Sequence, residues 1–589
     1  MHIVENKAIR AGKTYCYACE CLWDASIKKY LKPSTAVGQL EGNPPSFVPN
    51  EYLVSLLLTH STDPQSMDER SKRIVDTVIL KYGGDICDRI QAPKDKTGMS
   101  SAQAVFIGPA LVLGGITHKY RINHMLCKAF GDNMADEILA LAWYIASEGN
   151  ALSNSDSWLE HFENPAGYSM SSQEISRLLD SMSYDSIMVF YKQWLTAFKK
   201  VGDKVLYDLT SISYYGHGIN LAAWGHNRDN EALPQVNYAL LCLRSTAMPL
   251  FAWTLDGSIS DVATLKNTLQ FLEKLGYKPD CLLMDRGFAA EENITYMLRH
   301  KQKFLQALKI NPEWVKHVID VGRDERSLPE SKIEVENRTY YASTTQCRWV
   351  CQVRMLKNGK QREESKVVPQ RGAYVSTEKN VEVLEQYGCT VHVLFCQDLV
   401  GNHWDKFMDG LGAERQRLMA DNDAQPEKEY KDYFIISKAK YARQRSVEYN
   451  IENIKQHRNN YAGHICFITN DRTMSTASDT LREYSTRDYI EKDFDEMKNE
   501  LDMRRIRVHT DGRMMARLFV QFIAEIFMRE SRVCMNSSDD CKKLTRHQIF
   551  NHIKAIYKVK FKGKYKDVYP TLSKTQRSIL KALGIQTPG

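Results

Sequence analysis

Between residues 204 and 308, apolar runs alternate with polar turns in an order that predicts strands and helices. Three runs rich in β-branched and aromatic residues predict strands over 204–210, 235–243 and 249–255. Ser260 then precedes leucines that recur at helical spacing as far as Gly276, which predicts a helix over 261–276. The pattern continues with a strand, a helix and a strand over 281–284, 291–299 and 304–308.

This succession of three strands, a helix, a strand, a helix and a strand predicts an α/β core of the ribonuclease H-like type, a mixed sheet with flanking helices. In that fold the middle of the first strand lies beside the end of the fourth. Asp208 stands within the first predicted strand, and Asp285 directly follows the fourth. A single strand aspartate is usually a turn or capping residue, but this pair in this order predicts two carboxylates that converge.

Other patterns occupy the rest of the chain. The patterns predict six domains. They are a small β unit (1–50), a mainly helical N-terminal region (51–200), a first core part (201–310), a β-rich insertion (311–460), a second core part (461–530) and a basic C-terminal region (531–589). The strands predicted within the insertion are 339–343, 348–353 and 390–395. The core pattern resumes with a strand over 464–469 and an apolar helix over 514–528.

Residues 480–501 predict one helix that carries two stripes. Four polar residues fall within roughly 60° of one another at about 100° per residue. They are Tyr484, Arg487, Glu491 and Lys498. The apolar stripe beside them consists of Ile490, Phe494, Met497 and Leu501. Charged residues on an amphipathic helix most often form only a solvated face, so the stripe by itself does not assign Glu491 a function.

The spacing Tyr-x2-Arg-x3-Glu-x6-Lys, beginning at Tyr484, resembles the signature of a large family of bacterial insertion-sequence transposases of the DDE type. The resemblance also covers Asp285-x-Gly-Phe and Gly257-x3-Asp261. Near the N-terminus it extends to the longer-chain branch of that family, through Trp23-Asp24, Gly38-Gln39-Leu40 and Pro49-Asn50. It therefore spans most of the chain.

The resemblance implies that Asp208, Asp285 and Glu491 are the catalytic carboxylates. They would hold two Mg²⁺ or Mn²⁺ ions, which activate the attacking oxygen and stabilise the leaving oxygen in phosphodiester chemistry. Asp208 would bridge the ions, and Asp285 and Glu491 would each hold one. Asp495, about 40° from Glu491 on the predicted helix, is the alternative third ligand.

The expected DNA-binding residues are Tyr484, Arg487 and Lys498. The two cations would fix phosphates through charge-assisted hydrogen bonds, and the tyrosine hydroxyl would add a donor. In the insertion, Trp349 or Trp404 could stack on a displaced base, and a place in the core is the alternative for both.

The resemblance implies DNA transposition, in which cleavage at inverted-repeat ends precedes attack of the 3′-hydroxyl on target DNA. The resemblance implies that the helical region over 51–200 recognises these ends. The expected partners are double-stranded DNA and a second copy of the chain, because a homodimer would hold two ends. Two alternatives stay open: a metal-dependent nuclease of the same fold, which would cut without joining strands, and a non-catalytic descendant that only binds DNA.

Composition agrees with a DNA-binding protein. The 589 residues carry a formal net charge of +7. After Cys541, lysines and arginines interleave with aromatic residues, which suits contact with phosphates or simply solubility. The 14 cysteines follow no zinc-site spacing, and no secretory signal or membrane-spanning run is recognisable. We therefore expect a cytoplasmic protein with reduced thiols.

Overall fold

The computed structural model describes most of the chain. The described residues are 1–8, 13–41, 46–62, 64–83, 103–149, 151–199, 202–225, 227, 231–356, 359–370, 372–427, 429–437, 445–488, 490, 491, 494, 498, 505–561 and 566–588. Contacts divide the chain into two compact units. The first comprises Met1–Ile107, Ile556–Leu572 and Pro588–Gly589, and the second comprises Gly108–Ala555 and Ser573–Thr587. The six domain boundaries derived from the sequence stay a prediction.

The first unit contains a small antiparallel sheet covered by two helices. Its elements are β1 (His2–Ala8), β2 (Lys13–Cys19), β3 (Leu22–Asp24), β4 (Lys29–Leu31), β5 (Ser34–Glu41), β6 (Ser46–Pro49), α1 (Glu51–Thr62), α2 (Glu69–Tyr82) and β7 (Gln103–Phe106). The sheet order is β1–β2–β5–β6, and β3 and β4 form a separate hairpin. Alternate strand residues such as Cys16 and Val37 pack against Leu57, Ile74 and Val78 of the helices, which builds this core.

The second unit begins with helices. They are α3 (Gly108–Tyr120), α4 (Ile122–Phe130), α5 (Asp132–Glu148), α6 (Ser155–His161), α7 (Ser172–Ser181) and α8 (Tyr184–Phe198). α7 begins at a capping box in which Ser171 and Glu174 bond each other's backbone N–H. The middle of α5 is buried on all sides, with eleven buried residues between Ala135 and Ser147, so this helix lies inside the unit.

A mixed sheet follows, flanked by two helices. The elements are β8 (Val205–Tyr214), β9 (Gln235–Leu243), β10 (Pro249–Asp256), α9 (Asp261–Lys274), β11 (Cys281–Met284), α10 (Glu291–Arg299) and β12 (Lys303–Leu308). β8, β9 and β10 form an antiparallel meander, and β11 runs parallel to both β8 and β12. Every residue of β8 and β9 is buried, as in strands that are covered on both faces. The predicted α/β class is confirmed.

The same sheet continues into the segment predicted as an insertion. That segment holds α11 (Glu313–Val321), α12 (Arg323–Arg326), β13 (Lys332–Val335), β14 (Arg338–Met355), β15 (Gln361–Val368), β16 (Val381–Phe395), α13 (Val400–Ala420), β17 (Phe434–Ser437), β18 (Ser446–Tyr449) and α14 (Ile451–Asn460). The next strand, β19 (His464–Thr469), pairs with β12 on one side and with β16 on the other. The order along the sheet is therefore β10–β9–β8–β11–β12–β19–β16–β14–β13.

One expectation about this segment needs correction. The strands predicted over 339–343 and 348–353 are parts of the single strand β14. Thr344 and Gln346 interrupt the apolar pattern, yet both pair in register with β16, so backbone hydrogen bonds continue the strand where hydrophobicity does not. The segment also contains the long helix α13 and the helix α14, and a separate β-rich insertion over 311–460 stays a prediction.

The C-terminal elements of the second unit are α15 (Ala477–Ser485), β20 (Arg505–Ile506), α16 (Asp511–Asn536), α17 (Arg546–Lys554) and α18 (Lys574–Ala582). β21 (Tyr557–Lys560) belongs to the first unit, where it pairs with β7. α16 is longer than its predicted range of 514–528, and it contacts α5, α7, α8 and β10. Its buried face carries Phe519, Phe522, Ile523 and Phe527. In the described part of the chain, no helix combines the length and the hydrophobicity needed to cross a membrane.

A buried histidine in this sheet predicts a measurable pH dependence. His392 has no exposed surface, and its Nδ1 and Nε2 lie 3.0 Å from Thr344 Oγ1 and 3.1 Å from Met474 O. Burial lowers the pKa of His392 to about 4. The unfolded chain takes up this proton near pH 6.5, so His392 costs stability as the pH falls through that window. We expect about 2 kcal/mol less stability at pH 5 than at pH 7 from this residue alone.

The test compares the wild type with His392→Gln in urea titrations at pH 7 and pH 5. The variant should lose less stability between the two pH values, because glutamine does not titrate but can still donate to Met474 O. His317→Gln, at an exposed position, controls for the substitution itself. Equal pH dependence in the wild type and in His392→Gln would contradict the prediction.

Candidate active site

Two parallel strands bring the predicted aspartates to neighbouring positions. In the pairing of β8 with β11, Tyr207 lies opposite Met284, and Asp208 and Asp285 are the next residue on each strand. The Tyr207 hydroxyl reaches Thr264 and Thr268 of α9 at 3.1 Å and 3.0 Å. Because successive side chains of a strand point to opposite faces, Asp208 faces away from α9. Backbone register alone therefore explains how residues distant in sequence converge.

The segment that carries Asp285 is fixed by hydrogen bonds. Its carboxylate accepts from the backbone N–H of Arg286 at 2.6 Å. Its carbonyl oxygen accepts from the side-chain amide of Gln306, a residue of β12 with no exposed surface. Gln306 is a supporting residue that the sequence analysis missed, because a glutamine inside a predicted strand gives no local sign of its function.

The helix predicted over 480–501 is interrupted. α15 ends at Ser485, Thr486 and Arg487 form a turn, and Asp488, Glu491 and Lys498 are again helical. The hydroxyls of Ser485 and Thr486 donate to backbone carbonyls three residues earlier, and such bonds compete with the helical pattern. The four signature residues are therefore not on one continuous helix. Met497 and Leu501 of the predicted apolar stripe lie outside the described residues.

Arg487 joins the three predicted carboxylates. Its Nη2 lies 3.5 Å from Asp208 Oδ2 and its Nη1 lies 3.3 Å from Asp285 Oδ1, and Nη2 also forms an ion pair with Glu491 Oε1. The Tyr484 hydroxyl donates to Asp285 Oδ1 at 3.0 Å and lies 3.2 Å from Arg487 Nη1. Five of the six residues expected from the signature and the two aspartates therefore meet at one point.

Burial and charge set the protonation states at this point. Burial tends to lower the pKa of Arg487, but Tyr484 and the three carboxylates outweigh it and raise that pKa above its ordinary value. Burial and the nearby Asp285 raise the pKa of Tyr484, so its hydroxyl stays protonated and able to donate. Arg487 Nε is buried and has no hydrogen-bond partner among the described residues. One donor of the guanidinium is thus available for an additional acceptor.

Glu483 attaches α15 to the core strands. Its two carboxylate oxygens lie 2.9 Å from Lys204 Nζ and 3.0 Å from Arg244 Nε. Lys204 directly precedes β8 and Arg244 directly follows β9, so one acidic side chain ties the helix to both strands. Residue spacing in the sequence does not reveal this contact, because its three members come from separate segments.

The donor set fits a hard divalent cation. Three carboxylates converge on one positive group, and carboxylate oxygens are the ligands that Mg²⁺ and Mn²⁺ prefer. Within the described residues, no three His, Cys, Asp or Glu side chains lie close enough together to hold one ion, because the guanidinium lies between the carboxylates. Arg487 thus supplies the positive charge that the carboxylates need.

The other predicted residues have different surroundings. Lys498 is helical and only 8% exposed, and its contact with DNA stays a prediction. Asp495 lies outside the described residues. Trp349 is fully buried, donates to Thr295 Oγ1 at 3.0 Å and packs edge-on against Trp314. The core alternative for Trp349 is therefore the one observed, and a base cannot reach its ring in this arrangement.

Fold and site together define an α/β protein with a carboxylate cluster beside its central parallel strands. The Transposase DDE domain family model matches residues 199–526, more than half of the chain. The chain belongs to this family. The predicted DDE transposase class is confirmed, and the bacterial insertion-sequence group with its signature stays a prediction.

Comparison with solved structures and curated proteins adds little to this. The chain resembles a piggyBac transposase in a synaptic complex with hairpin DNA, with 10% identity, 76% of this chain and 79% of that chain covered, and a TM-score of 0.33. A TM-score this low supports no statement about fold or function. No curated protein matches the chain.

The three-carboxylate arrangement predicts that Arg487 stabilises the metal-free protein. In Arg487→Gln the carboxylates would face each other without a counter-ion, and the loss of one partner of a buried ion pair costs roughly 3 kcal/mol. We expect a lower melting temperature for this variant in EDTA at pH 7. Added Mn²⁺ should then raise the melting temperature of the variant more than that of the wild type, because no guanidinium competes for the carboxylates.

The matched control is Arg482→Gln. Arg482 lies on α15, its side chain is 62% exposed, and its contact with Asp479 is 4.0 Å, so its loss should have little effect on melting. An Arg487→Gln variant that melts with the wild type in EDTA would contradict the prediction.

Proposed function

We propose that this protein is the transposase of a bacterial insertion sequence, which cleaves DNA at the inverted-repeat ends of the element and joins the 3′-hydroxyl to target DNA. The observation that carries the proposal is the convergence of Asp208, Asp285 and Glu491 on Arg487. The chain belongs to the DDE transposase family, and its three carboxylates lie at the end of a parallel strand pair. Metal-dependent cleavage and joining of phosphodiester bonds needs such carboxylates.

The proposed core type is ribonuclease H-like. Numbered by their order in the core, the first five strands lie in the sheet as 3-2-1-4-5, with the third pairing the second and the fourth pairing the first in parallel. Asp208 on the first strand and Asp285 after the fourth are adjacent in this order. The strand order therefore supports the fold type that periodicity predicts.

Asp208, Asp285 and Glu491 would hold the divalent cations. When bound, Mg²⁺ or Mn²⁺ would supply activation of the attacking oxygen and stabilisation of the leaving oxygen. Arg487 offsets part of the negative charge of the three carboxylates in the arrangement observed. With the cations bound, the guanidinium would be available to contact a DNA phosphate through a charge-assisted hydrogen bond. The protonated Tyr484 hydroxyl keeps the Asp285 carboxylate oriented.

The first test removes each carboxylate while it keeps the size of the side chain. Asp208→Asn, Asp285→Asn and Glu491→Gln should each reduce cleavage of end DNA far more than the roughly 10- to 100-fold that loss of a supporting residue costs. Specific binding to the same DNA should be largely retained, because these groups do not contact bases. The measurement is a cleavage and strand-transfer gel with Mg²⁺, together with a binding titration, on duplexes that carry the repeats flanking the gene.

Asp280→Asn is the matched control for this series. Asp280 directly precedes β11, whereas Asp285 directly follows it, and Asp280 pairs only loosely with Lys303 at 3.7 Å. The control should cleave like the wild type. An active Glu491→Gln together with an inactive Asp495→Asn would assign the third carboxylate to Asp495, and cleavage without strand transfer in the wild type would favour the nuclease alternative.

We further propose that the working form is a dimer on two DNA ends. One carboxylate site acts on one strand at a time, and closed two-fold symmetry supplies paired sites most simply. Mass photometry of the protein alone and with end DNA should show two chains and two ends in the complex that performs concerted joining. A complex of one chain with one end that still joins two ends to a target would disprove the proposal.

A further inference from the structure

A cavity of about 480 Å³ opens beside Asp285. Its walls come from the start of β9, the turn after β10, the start of α9, and the residues that follow β11 and β12. The volume lies within the range of sites that bind small molecules. Asp285 forms part of its lining, so the cavity and the carboxylate cluster share one residue.

Buried amides hold one wall of this cavity in place. Asn237 Nδ2 donates to Asp256 O and Ile259 O, each at 3.1 Å, and Gln235 Nε2 donates to Gly257 O at 3.2 Å. A Cβ atom at Gly257 would lie 1.8 Å from Gln235 O, so the turn can approach β9 this closely only with glycine. The wall is therefore formed before any ligand binds, which lowers the entropic cost of binding.

The mouth of the cavity is positively charged. Arg286 is the second residue after β11, and Lys309 is the first residue after β12. Because these strands are parallel neighbours, both cations lie at the same edge of the sheet. Neither side chain forms an ion pair within the described residues, and both are exposed. Ser260, at the start of α9, makes no capping hydrogen bond, so its hydroxyl adds a neutral donor or acceptor.

We propose that this cavity binds the nucleotide that adjoins the scissile phosphate, with the phosphate of that nucleotide held by Arg286 and Lys309. This inference rests on the proposed function, because it places the cleaved strand at Asp285. Two unpaired cations suit a phosphate, and the exposed Ser260 hydroxyl in the cavity lining suits a hydrogen bond with a sugar. The position beside a catalytic carboxylate favours a nucleotide within the DNA strand over a free nucleotide.

The test pairs single substitutions with single neutral phosphates. Wild type, Lys309→Ala, Arg286→Ala and Lys303→Ala are each assayed on end DNA that is unmodified or carries one methylphosphonate at successive positions around the cleaved bond. Lys309→Ala and Arg286→Ala should each slow cleavage of unmodified DNA roughly tenfold. That loss should vanish when the methylphosphonate stands at one particular position, since the charge they bind is then already absent. Lys303, at the opposite end of β12, serves as the control and should show no loss.

The outcomes separate the inference from the proposed function. A wild type that fails to cleave unmodified DNA overturns both. If the wild type cleaves but the variants lose no cleavage rate, or lose the same rate on every modified DNA, only the nucleotide site is overturned. A mixture of the four deoxynucleoside monophosphates is also tested as an inhibitor of the wild type and of Lys309→Ala. If the mixture inhibits only the wild type, and the cleavage loss of the variants does not depend on methylphosphonate position, the cavity binds free nucleotides and the inference is overturned.

Discussion

The site depends on a single guanidinium surrounded by negative charge. Like charges repel more strongly at a protein surface than in bulk water, and backbone pairing forces the Asp208 and Asp285 carboxylates to be neighbours. Arg487 offsets this repulsion. Arg487 precedes Glu491 by four residues. The segment that adds the negative charge of Glu491 therefore also adds the positive charge that lets Glu491 approach the two aspartates.

The supporting contacts converge on the same point from different directions. Gln306 holds the backbone of Asp285 from the neighbouring strand, and Glu483 links α15 to Lys204 and Arg244 at the ends of β8 and β9. These contacts place Tyr484 on Asp285 without any contribution from a ligand. Positions set this way lose little entropy when substrate binds, which is how rigid scaffolds favour precise chemistry.

The core strands and the carboxylates could be predicted from the sequence, because they depend on local periodicity and on register. β9, β11 and β19 lie where the apolar runs predict them, and Asp208 and Asp285 follow from strand order. The break at Thr486 could not be predicted in this way, because it depends on hydroxyl groups that bond their own backbone and leave the apolar period unchanged. The same limit applies to β14, whose polar centre is stabilised by pairing with a strand that begins 26 residues after β14 ends. Arg487 was expected to bind phosphate, whereas it contacts the three carboxylates. Residue spacing shows which residues share a helix face but not which groups those residues contact.

Strand β19 joins the core strands to an outer part of the sheet that extends beyond the core. β16 pairs with β19 only over Thr390–Phe395, while its residues from Val381 onward pair with β14 beyond the edge of β19. Together with β15, these strands form an arm that extends beyond β19, and Thr295 and Arg299 of α10 bond its residues Ser365 and Glu385. Residues added or removed in pairs at the tip would change the reach of the arm and leave every carboxylate in place.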